Sequence, residues 1–116
     1  MSRRDDERLA DVIASAEAIA SHLDRGGLDD GLVFDAVRVR LIEIGEAVKD
    51  IDPVVLADEP DIPWRDVAGI RGHLAHRYFD TTHSIVQATV DHDPPPLLAA
   101  ARRLLDRMDL ETETNA

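Results

Sequence analysis

Apolar residues recur along this chain at helical spacing, and almost nowhere at the alternating spacing of a strand. Leu9, Val12, Ile13, Ala16, Ile19, Ala20 and Leu23 form one stripe. They predict a first amphipathic helix from about Asp5 to Asp24, closed by Gly26-Gly27. Its first turn carries Asp5, Asp6 and Glu7, where the helix dipole favours negative charge. A second helix is expected from a cap at Asp29-Asp30 to about Ile51, with Phe34, Val37, Leu41, Ile44, Val48 and Ile51 as its stripe. Val39 and Ile42 add apolar surface on another side, which predicts packing against more than one neighbour. Pro53 ends this helix.

The segment from Asp52 to Pro63 reads as a connector, with one short turn over Val54 to Ala57. Pro63-Trp64 opens a third helix expected to run to about Phe79, with a break at Asp80-Thr81-Thr82 and a short fourth helix from His83 to Val90. Asp93-Pro94-Pro95-Pro96 predicts a turn or kink. Leu97, Leu98, Ala101, Leu104, Leu105 and Met108 mark a last helix, with residues 110–116 as a frayed tail. The pattern predicts one all-α domain over residues 1–116, an up-and-down bundle of four or five helices. Its aromatic residues are only Phe34, Trp64, Tyr78 and Phe79. A lone protomer therefore has few large side chains for its core, and a helical homodimer is expected to bury more apolar surface.

Composition narrows the classes. The absence of cysteine excludes disulfides and thiolate-bound zinc. The N-terminal segment has basic residues but no continuous apolar run, so it does not read as a signal peptide. No stretch approaches the roughly 18 apolar residues that span a bilayer, and a cytoplasmic protein without membrane partners is expected. The net charge is −11, from 13 basic and 24 acidic residues, which argues against indiscriminate binding to nucleic acid. The window from Trp64 to His83 departs from this. It holds Arg65, Arg71 and Arg77 against Asp66 and Asp80, a net of +1, which leaves −12 for the rest of the chain.

Within that window Arg71 falls on the apolar stripe of the third helix, among Val67, Leu74 and Tyr78. A guanidinium there must be paired, interfacial or functional, because an unpaired buried charge costs several kcal/mol, roughly. Glu46 and Glu43 on the second helix are the candidate partners, and a purely structural Arg-Glu pair is one reading. Gly69, Gly72, His76 and Asp80 follow one line of the helix. The two glycines, each costing about 1 kcal/mol against alanine, point to tight helix packing or to close approach of a sugar-phosphate.

Arginine presents a planar, permanently charged fork to phosphate oxygens, and histidine exchanges a proton near neutral pH. Together they can cleave RNA without a metal. His76 would assist attack by the 2′-hydroxyl or protonate the leaving 5′-oxygen, and Arg71 would stabilise the phosphorane-like transition state. Arg71 and His76 lie about 140° apart around one helix, so they converge most readily across a two-fold axis between two copies. His73, His76, Asp80 and His83 offer a competing metal stripe, but the expected break at Asp80-Thr81-Thr82 precedes His83. Neither metal nor cofactor is expected.

Arg71, His76 and Tyr78 spell R-x4-H-x-Y, the pattern of HEPN-domain proteins, and the chain most resembles the HepT-like toxins among them. The resemblance extends to Leu41-Ile42-Glu43-Ile44-Gly45-Glu46-Ala47, similar to that family's second-helix IGEA segment. It also takes in Trp64 to Arg71 with His76 to Asp80, similar to its third-helix signature. About Leu9 to Leu105 is covered. The resemblance implies a homodimeric HEPN-like bundle with a cleft at the dimer interface. It implies metal-independent endoribonuclease activity on cellular RNA, tRNA or mRNA, and a toxin-antitoxin context. The implied partner is an MntA-like nucleotidyltransferase antitoxin that silences the toxin by AMPylation of the motif tyrosine. Carried over, Arg71 and His76 are catalytic and Tyr78 is the acceptor; Gly72, His73 and Arg77 are candidate substrate contacts and Glu46 a structural partner. Two positions depart from the family pattern: Gly72 stands where asparagine is usual, and Arg77 where a small residue is common. A non-catalytic helical adaptor, or nucleotide-binding subunit, of a nucleotidyltransferase is the alternative reading.

Overall fold

A computed structural model describes residues 4–75, 86–90 and 94–115 of the chain. These residues contain helices and no strand. Helix α1 spans Asp5–Arg25, α2 Gly31–Lys49, α3 Pro53–Leu56 and α4 Trp64–Ala75. Residues 86–90 are helical (α5), and α6 spans Pro94–Asn115. The all-α bundle expected from the periodicity is present; the described residues hold six helical segments where four or five were foreseen. The extra one is α3, where a single turn was expected.

Local signals set most boundaries. The Asp30 carboxylate accepts from the amides of Leu32 (2.9 Å) and Val33 (3.4 Å), which caps α2 where the sequence places a cap. Asp52 accepts from the Val54 amide (2.9 Å), and Pro53 occupies the first turn of α3. Gly26 closes α1 in an extended conformation (φ 168°) rather than the left-handed one common at helix ends. At the other end of α1, Asp5 is only 2% exposed. Its carboxylate accepts from Arg8 (2.9 Å) and from the Asp52 amide (3.3 Å), so it ties the start of α1 to the cap of α3.

One expectation near the C-terminus is corrected. Pro94, Pro95 and Pro96 neither kink nor precede the last helix; they form its first turn. First-turn residues have no intrahelical amide bond to lose, and proline's fixed φ suits them. The helix extends to Asn115. No glycine or proline follows Pro96 to stop it.

The short loop between α1 and α2 makes them antiparallel neighbours; α4 packs on α2 and α6 on α1. Leu9, Val12 and Ile19 of α1 meet Val37, Leu41, Ile44 and Val48 of α2 in a core where each is at most 3% exposed. Leu74 closes the core from α4, Val86 from α5, and Leu97, Ala101 and Leu104 from α6. Each large apolar side chain buried this way contributes roughly 1.5–3 kcal/mol. α2 does touch two helices; of the second face the sequence suggested, Ile42 is half-buried and packs against the core, while Val39 remains 46% exposed. Ion pairs brace the outside, with Arg102 of α6 on Glu17 of α1 (2.7 Å) and Arg103 of α6 on Glu59 (2.6 Å). No helix among the described residues is long and apolar enough to cross a membrane.

Candidate active site on the fourth helix

Pro63 starts α4, and its carbonyl accepts from the Val67 amide (3.0 Å). The Trp64 indole Nε1 donates to the Glu59 carbonyl (2.9 Å) and anchors the first turn to the preceding loop. Leu74, fully buried, is the helix's deepest anchor, flanked by the half-buried Val67 and Ile70. Arg65, Asp66, Gly69, Gly72 and His73 form the exposed side.

Arg71 lies at the edge of the buried face, on the seam with α2. Its Nη1 donates to Glu46 Oε1 at 3.0 Å. Of the two carboxylates the sequence offered as partners, the fold selects Glu46. Glu43 instead accepts from Arg40 (3.0 Å) and from the Ser15 hydroxyl (3.1 Å), on the side of α2 that faces α1. The Arg71 side chain is 42% exposed and that of Glu46 48%, so the pair is open to water rather than sealed in the core. The other carboxylate oxygen of Glu46 lies 3.3 Å from Lys49 Nζ. Two cations thus share one carboxylate, and the cluster keeps a positive charge on an otherwise acidic chain.

The seam is closed by Gly45. A Cβ built there would lie 3.2 Å from Arg71 Cβ, 3.2 Å from the Val67 carbonyl oxygen and 3.3 Å from the Arg71 amide nitrogen. Only a residue without a side chain lets α4 approach α2 this closely at the arginine. Gly69 and Gly72 behave in the opposite way. A Cβ on either would meet nothing within 4 Å among the described residues, so none of these uses them for packing. They leave a bare, exposed strip on the outside of α4, next to His73.

A second link between the helices was not foreseen from the sequence. Arg38, one turn before Leu41 on α2, donates from Nε to the carbonyl oxygen of Leu74 (3.1 Å). Its only sequence-level signal is spacing: Arg38 and Gly45 are seven residues apart and share the α2 face that meets α4. The seam is therefore held by Arg38 at one end and by Glu46, beside the glycine contact, at the other.

Of the predicted site residues, the structure places Arg71, Gly72, His73 and Glu46. It brings Arg71 and Glu46 together and puts Gly72 and His73 on the exposed side of the same helix. His76, Arg77 and Tyr78 lie outside the described residues, as do Asp80 and His83 of the competing metal stripe. Among the described residues no cluster of three or more histidine or carboxylate side chains could hold a metal ion. A partly exposed guanidinium, rigidly based and oriented by a carboxylate, can bind the oxygens of a phosphodiester in its planar fork.

The sequence model of the family described as "Ribonuclease HepT-like" matches residues 9–104. A relative named "Probable ribonuclease HepT", from Thermococcus cleftensis, is 31% identical over 108 residues, covering 90% of this chain and 98% of its own. Two others carry the name "Putative RNase". The one from Caldanaerobacter subterraneus subsp. tengcongensis is 33% identical over 70 residues, covering 60% of this chain and 62% of its own. The one from Methanocaldococcus jannaschii is 28% identical over 102 residues, covering 84% of this chain and 94% of its own. No solved structure matches the chain significantly.

Proposed function

The chain belongs to the HepT-like ribonuclease family, and from that premise we propose that it is a metal-independent endoribonuclease, the toxin of a toxin-antitoxin pair, acting on tRNA or mRNA. The observation that carries the reading is Arg71: a guanidinium on the core helix, seated over Gly45, oriented by Glu46 and still open to solvent. In the proposed reaction the RNA 2′-oxygen attacks the adjacent phosphorus and the bond to the 5′-oxygen breaks. His76 moves the proton, taking it from the 2′-hydroxyl or giving it to the departing 5′-oxygen. Arg71 stabilises the charge that builds on the non-bridging oxygens. No protein nucleophile is needed. Gly72, His73 and Arg77 are proposed substrate contacts, and the bare strip at Gly69 and Gly72 leaves room for a sugar-phosphate or for a second copy of α4.

The same reading includes a homodimer that brings two Arg71-His76 sets to one cleft in the cytoplasm. The exposed Val39 gives α2 apolar surface that such a partner would cover. It also includes an MntA-like nucleotidyltransferase antitoxin that transfers AMP to Tyr78. Added phosphate near Arg71 would compete with RNA for the guanidinium and repel the backbone. The test compares RNA cleavage by wild type, Arg71→Ala and His76→Ala, with folding checked by circular dichroism. Loss of cleavage in both folded variants is expected; equal cleavage in all three rejects the assignment. The Arg71-Glu46 pair also suits a non-catalytic adaptor for a nucleotidyltransferase. In that case the chain is harmless when expressed alone, and His76→Ala changes nothing.

A further inference from the structure

A groove adjoins the Arg71 cluster. It lies between the C-terminal end of α2, α3 and the first turns of α4, and encloses about 480 Å³. That is within the range of roughly 300–1,000 Å³ found for small-ligand clefts. Its apolar wall includes Pro53, Pro60 and the half-buried Trp64, whose ring is fixed at its edge by the hydrogen bond from Nε1 to Glu59. Its charged lining is one-sided. The described residues that line it include Lys49 and Arg65 and no carboxylate, in a chain with 24 acidic residues; the paired carboxylate of Glu46, outside the lining, lies 3.3 Å from Lys49 Nζ. Arg65 is exposed and has no ion-pair partner among the described residues, whereas the arginines of α6 at 102, 103 and 107 are all paired. Lys49 holds the same carboxylate as Arg71, so the groove begins where the Arg71 cluster ends.

A flat aromatic wall with cations at its mouth is how proteins hold unstacked bases: the ring takes the base and the cations take the phosphates. Resting on the ribonuclease reading, we infer that this groove is a single-stranded RNA subsite. One base lies against Trp64, its flanking phosphates lie on Arg65 and Lys49, and the next phosphate along the strand reaches Arg71. The subsite selects single-stranded over duplex RNA, because a paired base cannot turn into the groove.

Trp64 is the chain's only tryptophan, so its fluorescence reports on this groove alone. The full-length chain is titrated with a short 2′-O-methyl oligoribonucleotide, which lacks the attacking hydroxyl and cannot be cut. Binding is followed in parallel by the anisotropy of a labelled copy. Saturable quenching of Trp64 at the concentration where anisotropy rises is expected. Arg65→Ala should weaken binding three- to tenfold and reduce the slope of log affinity against log salt by about 0.7, as loss of one single-strand phosphate contact does. Arg102→Ala, on the far pairing of α6 with α1, should leave both unchanged. Anisotropy that rises while Trp64 stays silent, or an Arg65→Ala variant with wild-type affinity and slope, overturns the subsite. So does an oligonucleotide that does not bind. Emission that follows protein concentration instead of oligonucleotide overturns it as well, and makes the groove a contact between copies. RNA cleavage that persists with a silent Trp64 rejects the subsite but not the ribonuclease. Quenching without any cleavage does the reverse.

Discussion

Replacing Gly45 with alanine sets two effects of known sign against each other. Alanine inside a helix is favoured over glycine by about 1 kcal/mol, so an unobstructed site would gain that much. At Gly45 the new methyl would meet Arg71 Cβ and the Val67 carbonyl oxygen at 3.2 Å and the Arg71 amide nitrogen at 3.3 Å. Two of these three are backbone atoms of α4, which cannot swing aside as a side-chain tip can. The α2–α4 seam must open by a few tenths of an ångström, and overpacking of this kind costs roughly 1–3 kcal/mol. Gly45→Ala is therefore expected to be destabilised by about 0–2 kcal/mol. Gly69→Ala, whose methyl meets nothing among the described residues, should be stabilised by about 1 kcal/mol. Urea unfolding of both variants at one protein concentration measures the difference, with unchanged slopes confirming that stability alone has moved. Because the strain falls on the backbone of Arg71, RNA cleavage by Gly45→Ala should fall further than its stability does. Equal stabilisation of the two variants would refute the close approach of α4 at Gly45 and, with it, the account of how Arg71 is seated.

Glu46→Gln keeps the shape but removes the charge that orients Arg71. The pair is exposed, so stability should change by less than about 1 kcal/mol, while RNA cleavage should drop at least about tenfold. Matched losses in both measurements would mean that Glu46 supports the fold only. Asp5→Ala leaves the Arg8 guanidinium and the Asp52 amide without their shared acceptor at a site 2% exposed, and thermal unfolding should show a loss of about 2–3 kcal/mol. The Glu59 carboxyl is held below its ordinary range chiefly by the hydrogen bond from Arg103, with burial opposing and the Arg103 and Arg107 charges assisting. A depressed folded value stabilises the protein above the unfolded carboxylate range, and that contribution disappears as pH falls through the folded value. Glu59→Gln should therefore flatten the acid limb of the stability-pH curve, and an unchanged limb would show that the pair is silent.

Local chemistry explains why so much of the architecture could be read before folding. A cap at Asp30, prolines at positions 53 and 63, and stripes at three- and four-residue spacing each act within a few residues, so they look the same in the linear chain as in the folded one. Where two local readings were available, context chose between them. Three consecutive prolines suit a kink as well as a helix start, and only the docking of Leu97 and Leu104 into the core shows that they begin α6.

The site depended on contacts that no spacing encodes. Glu43 and Glu46 are the same residue on the same helix, and their roles part because α1 passes on one side and α4 on the other. Gly45 and Gly69 are both helix-interior glycines with the same propensity cost, yet one is pressed against a neighbouring backbone and the other meets none of the described residues. Arg38 reaches a carbonyl 36 positions away. Helix formation is a short-range choice made by each segment's own residues. Which face of which helix meets which partner is set by how the buried stripes fit together across the whole core, and that fit exists only once the chain has packed.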